Sequence, residues 1–263
     1  MSAFDRADSK APLALCGHYF SAHFETQRVQ VLMGNGSSAE LYVHWAFGVL
    51  GDGTWEVLGA WSVASVGHSL WRGISEDLDN RGVSSIALVC APELEAARHL
   101  CRTVKVLPPF RRILGTVYVA DSTGVALFRS DARHAVRQAS GVRAARVALE
   151  RVLAKSQAEQ ALVLSQDWPE VLVQFKPFYA LRPRHRELVR AGDEHLERLG
   201  RSLQRATGRH GTFPDLATAT SFVADALARD ERRLWDRALF SFERPLNCAA
   251  MAMAGQHSAA HGG

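Results

Sequence analysis

The sequence predicts an α/β fold: a mixed sheet with a helical annex toward the C-terminus. Three observations predict it. Residues 41–50 (LYVHWAFGVL) and 55–63 (WEVLGAWSV) are apolar, β-rich runs on either side of Gly51-Asp52-Gly53-Thr54. That turn suits a tight hairpin, because its two glycines supply positions of positive φ. From residue 68 the apolar period becomes helical, with Leu70, Trp71, Ile74 and Leu78 on one face. From residue 132 onward the pattern is helical, punctuated by Pro169, Pro177 and Pro183.

In chain order, residues 1–12 are polar and read as a frayed end. Residues 27–33 alternate and predict a first strand, followed by the turn Gly34-Asn35-Gly36-Ser37-Ser38 and the hairpin above. The helix of residues 68–80 closes at Gly82, which suits the C′ position of a helix end. Residues 84–90 (SSIALVC) predict a short strand buried on both faces. Pro92, Glu93 and Glu95 favour a helix start, giving a second helix over 92–102. Pro108-Pro109 breaks the chain. Residues 115–120 predict a fifth strand, and Asp121-Ser122-Thr123-Gly124 turns it into 125–128. Helices are expected over 143–155, 157–166, 186–207 and 216–229, with one more from 230 to 242; residues 208–214 form a loop. Three antiparallel strands, a helix, a strand, a helix and a strand make the order of a ribonuclease-H-like core. The organisation expected is an extension over 1–24, the core over 25–130, a helical region over 131–246 completing the domain, and a disordered tail over 247–263.

Composition narrows the function classes. At 47% hydrophobic and 22% charged residues, 263 residues bury a sizeable core. The net charge of +4 permits an anionic partner without demanding one. Cys16, Cys90, Cys101 and Cys248 have no CxxC spacing, which argues against a zinc ribbon or disulfide framework and fits a reducing, cytoplasmic setting. Asp5, Asp8 and Lys10 interrupt any signal-like run, and no stretch reaches the ~18 apolar residues that span a bilayer. No membrane partner is expected.

Several motifs resemble one family. "GDGTWEVLGAWSV", Leu70-Trp71 and "LDNRGVSSIALV" are similar to the central segment of mutator-type insertion-sequence transposases. "EHLERLGRSLQRATGRHGTFPD", Leu234-Trp235 and "FSFERPL" resemble that family's glutamate-bearing helix, the loop after it and its closing helix. The resemblance runs from about residue 25 to 246 and is weakest over 107–180. It implies a ribonuclease-H-like fold acting in DNA transposition and recombination. Its site would hold two aspartates and a glutamate on a pair of Mg2+ or Mn2+ ions about 4 Å apart, which activate the attacking oxygen and stabilise the leaving one. The chain reads as a degenerate or truncated member. The partners implied are DNA, and a second copy or a full-length transposase.

Carried over position by position, the resemblance gives Glu197 as the glutamate and Glu25 at the first aspartate. A glutamate there displaces the carboxylate by about 1.5 Å, a shift that a metal pair tolerates badly. Cys90 and Ala91 cover the second aspartate, with Pro92 in place of a glycine, so that ligand is missing and two-metal cleavage is expected to be impaired. Asp121, at the end of the fifth strand, is the third candidate ligand; it equally suits the first position of its turn. Glu197 equally suits a surface pair with Arg201 one turn on. Candidate catalytic and metal-binding residues are therefore Glu25, Asp121 and Glu197.

Residues 182–209 hold eight arginines against Glu187, Asp193, Glu194 and Glu197. Arg190, Arg198, Arg201, Arg205 and Arg209 are the candidate DNA-binding residues on that helix. Two other readings remain open. One is a domesticated, non-catalytic DNA-binding or regulatory module. The other is a thiol enzyme with Cys90 at a strand end and His99 or His134 as base.

Overall fold

A long strand with a polar inner face sets the architecture. The computed structural model describes residues 4–6, 14–63, 68–92, 94–97, 100, 105–111, 123–155 and 168–239, and the elements below are those of the described residues. Strand β2 spans His18–Leu32. Its odd-numbered residues from Ser21 to Val31 are all buried, although the first four, Ser21, His23, Glu25 and Gln27, are polar. Apolar alternation predicts this strand from residue 27 onward. Its first half was hidden because polar side chains fill the inward positions.

Strands β1 (Phe4–Arg6), β3 (Ser38–Val49), β4 (Trp55–Val63), β5 (Ser85–Cys90), β6 (Lys105–Leu107) and β7 (Thr212–Phe213) complete the sheet. Its order is β1-β4-β3-β2-β5-β6, with β7 also on β2. β3 runs antiparallel to both β2 and β4, while β5 is parallel to β2 and β6 is parallel to β5. The sheet is therefore mixed, as expected. Phe4–Arg6 pairs with β4 and is not frayed, since that edge offers unpaired backbone groups. The 51–54 turn uses one positive-φ glycine, not two: Gly53 at φ 95°, while the Asp52 carboxylate accepts the Thr54 N–H at 2.8 Å.

Helix α1 (His68–Asn80) matches the expected bounds. It ends in a Schellman motif, in which Val83 N–H donates to the Leu78 carbonyl at 3.0 Å and Gly82 takes φ 95°. Val83 and Leu78 are both buried, the hydrophobic contact that accompanies such an end. The α1 face of the sheet packs Phe24, Trp61, Leu70, Trp71 and Ile74, and each such side chain contributes about 2 kcal/mol on burial. The Trp61 indole N–H donates to Asp77 Oδ2 at 3.1 Å, fixing α1 against β4.

The chain continues with α2 (Leu94–Ala97), α3 (Thr123–Gln138), α4 (Val142–Lys155), α5 (Trp168–Gln174), α6 (Lys176–Tyr179), α7 (Pro183–His210) and α8 (Leu216–Leu239). Residues 125–128, expected as a strand, are helical: Phe128, Ala132 and Val136 recur every four residues and are buried together. β6 lies in a stretch to which the sequence pattern assigns no element. The region expected to break at residue 230 is one continuous helix, for no glycine or proline interrupts it. α7 runs into the expected loop as far as His210, whose ring stacks on Phe213 at 3.9 Å. The strand expected over 115–120, the helix over 157–166 and the tail over 247–263 lie outside the described residues. α7 and α8 pack Leu196, Leu199, Leu203, Val223 and Leu227 onto the second sheet face, against Val29, Val31, Val43, Trp45 and Phe47. Among the described residues no helix is long and apolar enough to cross a membrane.

Candidate functional site

The site lies at a gap in the sheet. β5 follows β2 only as far as the pair His23–Cys90, and β7 joins β2 only from Gln30. Between them β2 has an open edge. Two of its main-chain groups are met by side chains of the same strand: Thr26 N–H donates to Glu25 Oε1 at 2.8 Å, and Gln27 Nε2 donates to the Arg28 carbonyl at 2.9 Å. A cleft of about 750 Å³ opens there, lined by this edge, by Pro109 and Arg111, by Arg133 of α3, and by one stripe of α7.

Close approach of α7 makes the cleft. Gly192 lies over the His23 ring, and a Cβ there would be 2.6 Å from Cε1 of that ring. His23 is fully buried and stacks on Phe47, so it has nowhere to go. Burial holds both His23 and His195 neutral, their pKa values lowered to about 3 and about 4. Farther along, Gln27 Nε2 donates to Thr207 Oγ1 at 3.0 Å, tying β2 to the end of α7.

The approach brings Asp193 and Glu197, one turn apart on α7, to the cleft that Glu25 also lines. Asp193 raises the pKa of Glu25 and feels Glu197 in turn, so the three carboxylates form one electrostatic unit. Each has a guanidinium. Arg111 pairs with Glu25, Arg133 with Glu197, and Arg137 with Asp193; Arg137 also reaches Glu197 at 3.3 Å. Asp193 Oδ1 further accepts the Phe110 N–H at 3.4 Å. Burial pushes the Glu25 and Asp193 carboxyls up, and Arg111 and Arg137 respectively pull them back.

Two of the residues singled out in the sequence thus share the cleft: Glu25 and Glu197. The Glu197–Arg201 surface pair is present at 3.8 Å, but it is the longest of the Glu197 pairs. Asp121 lies outside the described residues. Asp193, which in the sequence reads as a counter-charge to the α7 arginines, joins them in the cleft. Its signal was positional: it sits one turn before Glu197 and beside a glycine that lets the helix touch the sheet. Arg111, Arg133 and Arg137 carried no local signal, since each meets its carboxylate from a segment distant in sequence.

The surroundings of Cys90 do not favour a nucleophile. Cys90 is buried, and desolvation, then the Asp193 charge, push its thiol well above the usual range. His134 is exposed on α3, and His99 lies outside the described residues. Arg198, Arg201, Arg205 and Arg209 are exposed along α7, and no acid occurs between Glu197 and Asp215. Arg190 differs from them: it is half-buried, with its guanidinium over the Phe178 ring at 5.9 Å, so packing uses it and it is not a free surface cation.

A metal pair needs carboxylate oxygens free to coordinate. Here the oxygens hold guanidinium groups, and the end of β5 offers Cys90 and Ala91, of which only a protonated thiol has a donor atom. Freeing both Asp193 and Glu197 would leave Arg137, whose side chain is 13% exposed, with only the exposed Glu194 at 3.8 Å. Among the described residues no three His, Cys, Asp or Glu side chains group so as to hold a metal ion. The described residues do not fit a two-metal centre.

Fold and cleft define a class: a mixed α/β protein with carboxylates gathered where one parallel strand leaves its neighbour. Residues 12–108 match the family model described as Transposase, Mutator family. The chain is 26% identical over 211 residues to a probable transposase for insertion sequence element ISRM3-like of Sinorhizobium fredii, covering 77% of this chain and 51% of that protein. It has the same identity and coverage against the transposase for insertion sequence element ISRM3 of Rhizobium meliloti. Against a probable insertion-sequence transposase of Corynebacterium diphtheriae it is 27% identical over 184 residues, 65% of this chain and 50% of that one. The chain is thus similar, over part of its length, to transposases of the Mutator family, and it spans about half the length of the curated proteins it matches.

Proposed function

We propose that this chain is a transposase-related DNA-binding protein on a ribonuclease-H-like core that does not cleave DNA by the two-metal route. Strand order supports the core. In β4-β3-β2-β5-β6 only β3 is reversed, and α1 crosses from β4 to β5. The helices after residue 123 complete the same domain by packing on that sheet. The observation that carries the loss of cleavage is the set of guanidinium groups on Glu25, Asp193 and Glu197. Together with Cys90-Ala91 at the second aspartate's place, it favours the non-catalytic reading over an active strand-transfer enzyme. DNA binding rests on the family and on Arg198, Arg201, Arg205 and Arg209, spaced along one exposed side of α7 with no acid among them.

Four phosphate contacts imply a slope of log K against log salt of about −3.6. Gel-shift titration of duplex DNA across salt concentrations is expected to give that slope, and R201A/R205A/R209A to flatten it by about 2.7. Supercoiled plasmid with Mg2+ or Mn2+ is expected to stay uncut. Nicking that Glu197→Gln abolishes would contradict the proposal.

A further inference from the structure

We infer that the outer face of the distal β2–β3 hairpin reads base sequence in the major groove of duplex DNA, with Arg28 and Gln30 as the base-contacting residues; this rests on the DNA-binding reading. β5 leaves β2 at His23, and β4 does not pair with β3 until His44. Among the described residues, 24–43 therefore project beyond both neighbours as an antiparallel ribbon, joined by just the two residues of β7.

The ribbon has two unlike faces. On one, Val29, Val31 and Val43 are buried under α7 and α8. On the other, Arg28, Gln30 and Leu32 stand opposite Tyr42, Glu40 and Ser38, and all six are exposed. Three of the six exposed large hydrophobic residues described, Leu32, Met33 and Tyr42, are on this ribbon or its turn. Such a concentration marks an interaction surface.

Its occupant follows from the chemistry of its side chains. Strands about 4.8 Å apart fit a major groove about 12 Å wide. Arginine is the commonest bidentate partner of guanine, glutamine of adenine, and an apolar side chain meets the thymine methyl. Arg28 is 66% exposed and pairs only loosely, at 3.6 Å, with Glu40, so a base edge can take it. Arg28 and Gln30 also open onto the cleft that Arg201 and Gln204 line. A duplex on the ribbon would thus bring its backbone near Arg201, the one of the exposed α7 arginines that lines the cleft. Backed by helices on one face and bare on the other, the ribbon has the layout of strand-based groove readers.

Selection from a random 20-base-pair duplex library by the full chain tests this. The expected result is an enriched motif, bound at least 10-fold tighter than its shuffled duplex. R28A/Q30A, altered only at exposed positions, is expected to reduce that preference to less than threefold while binding the shuffled duplex within about threefold of the original. The inference is overturned if the variant keeps the preference, if the pool is bound with no motif enriched, or if a single-stranded 20-mer outcompetes the duplex. Those outcomes leave the DNA-binding proposal standing. Failure to bind any duplex would sink both.

Discussion

Gly192→Ala is expected to destabilise the protein by about 2 kcal/mol, although alanine is the better helix former. In a helix interior the exchange favours alanine by about 1 kcal/mol. Overpacking a filled site costs about 1–3 kcal/mol and sometimes more. Here the steric effect wins, because the new Cβ would lie 2.6 Å from a ring that is fully buried and stacked on Phe47. Relief requires α7 to retreat from β2, which also stretches the Gln27–Thr207 hydrogen bond. Thermal unfolding should show a Tm lower by roughly 4–8 °C. In the His23→Ala background the same glycine substitution should be neutral or stabilising by up to about 1 kcal/mol, since the clashing ring is gone. Additive losses in that double-mutant cycle would show that the contact does not set the helix position.

Arg137→Met should have the larger effect, about 3–5 kcal/mol at neutral pH, because it leaves Asp193 buried without its cation. Asp193 keeps the Phe110 N–H and loses its pair. The pH dependence has a definite sign. Burial already raises the Asp193 pKa and Arg137 opposes that rise. Without the arginine the folded-state value climbs further above the unfolded one. The variant's deficit is therefore smallest below the unfolded carboxylate pKa, near 4, and grows as pH rises through the folded value. Denaturant titrations at pH 5 and pH 7.5 should show the gap widening with pH. Adding Asp193→Asn should restore most of the loss at pH 7.5, since it removes the stranded charge. A gap that is flat with pH, or no recovery with Asn, would place the effect in lost packing over Phe110 instead.

The sequence was most readable where local rules decide structure. β4 and α1 have the expected bounds, and Gly82 ends α1 as expected, because β-propensity, helical period and a left-handed glycine act within a few residues. Reading failed where tertiary burial reverses the usual meaning of a residue. Ser21, His23, Glu25 and Gln27 look like a polar segment and are the inner face of the central strand. Residues 125–128 look like a short strand, yet their period continues through Val136 as a helix. The site shows the same division. The likeness to a family located Glu25 and Glu197. It gave no hint of Asp193 as a cleft residue, nor of the three arginines, because their pairing exists only after the sheet, α3 and α7 have met.

Guanidinium groups occupy the carboxylate oxygens of Glu25, Asp193 and Glu197 that a metal pair would need. Mn2+ titration followed by electron paramagnetic resonance tests this directly. With 50–100 μM protein, a concentration on the order of that needed to detect weak sites by mass action, the free-ion signal is expected to be the same for the unaltered chain and for Glu197→Gln. Loss of signal equivalent to two Mn2+ per chain, restored by Glu197→Gln, would contradict it.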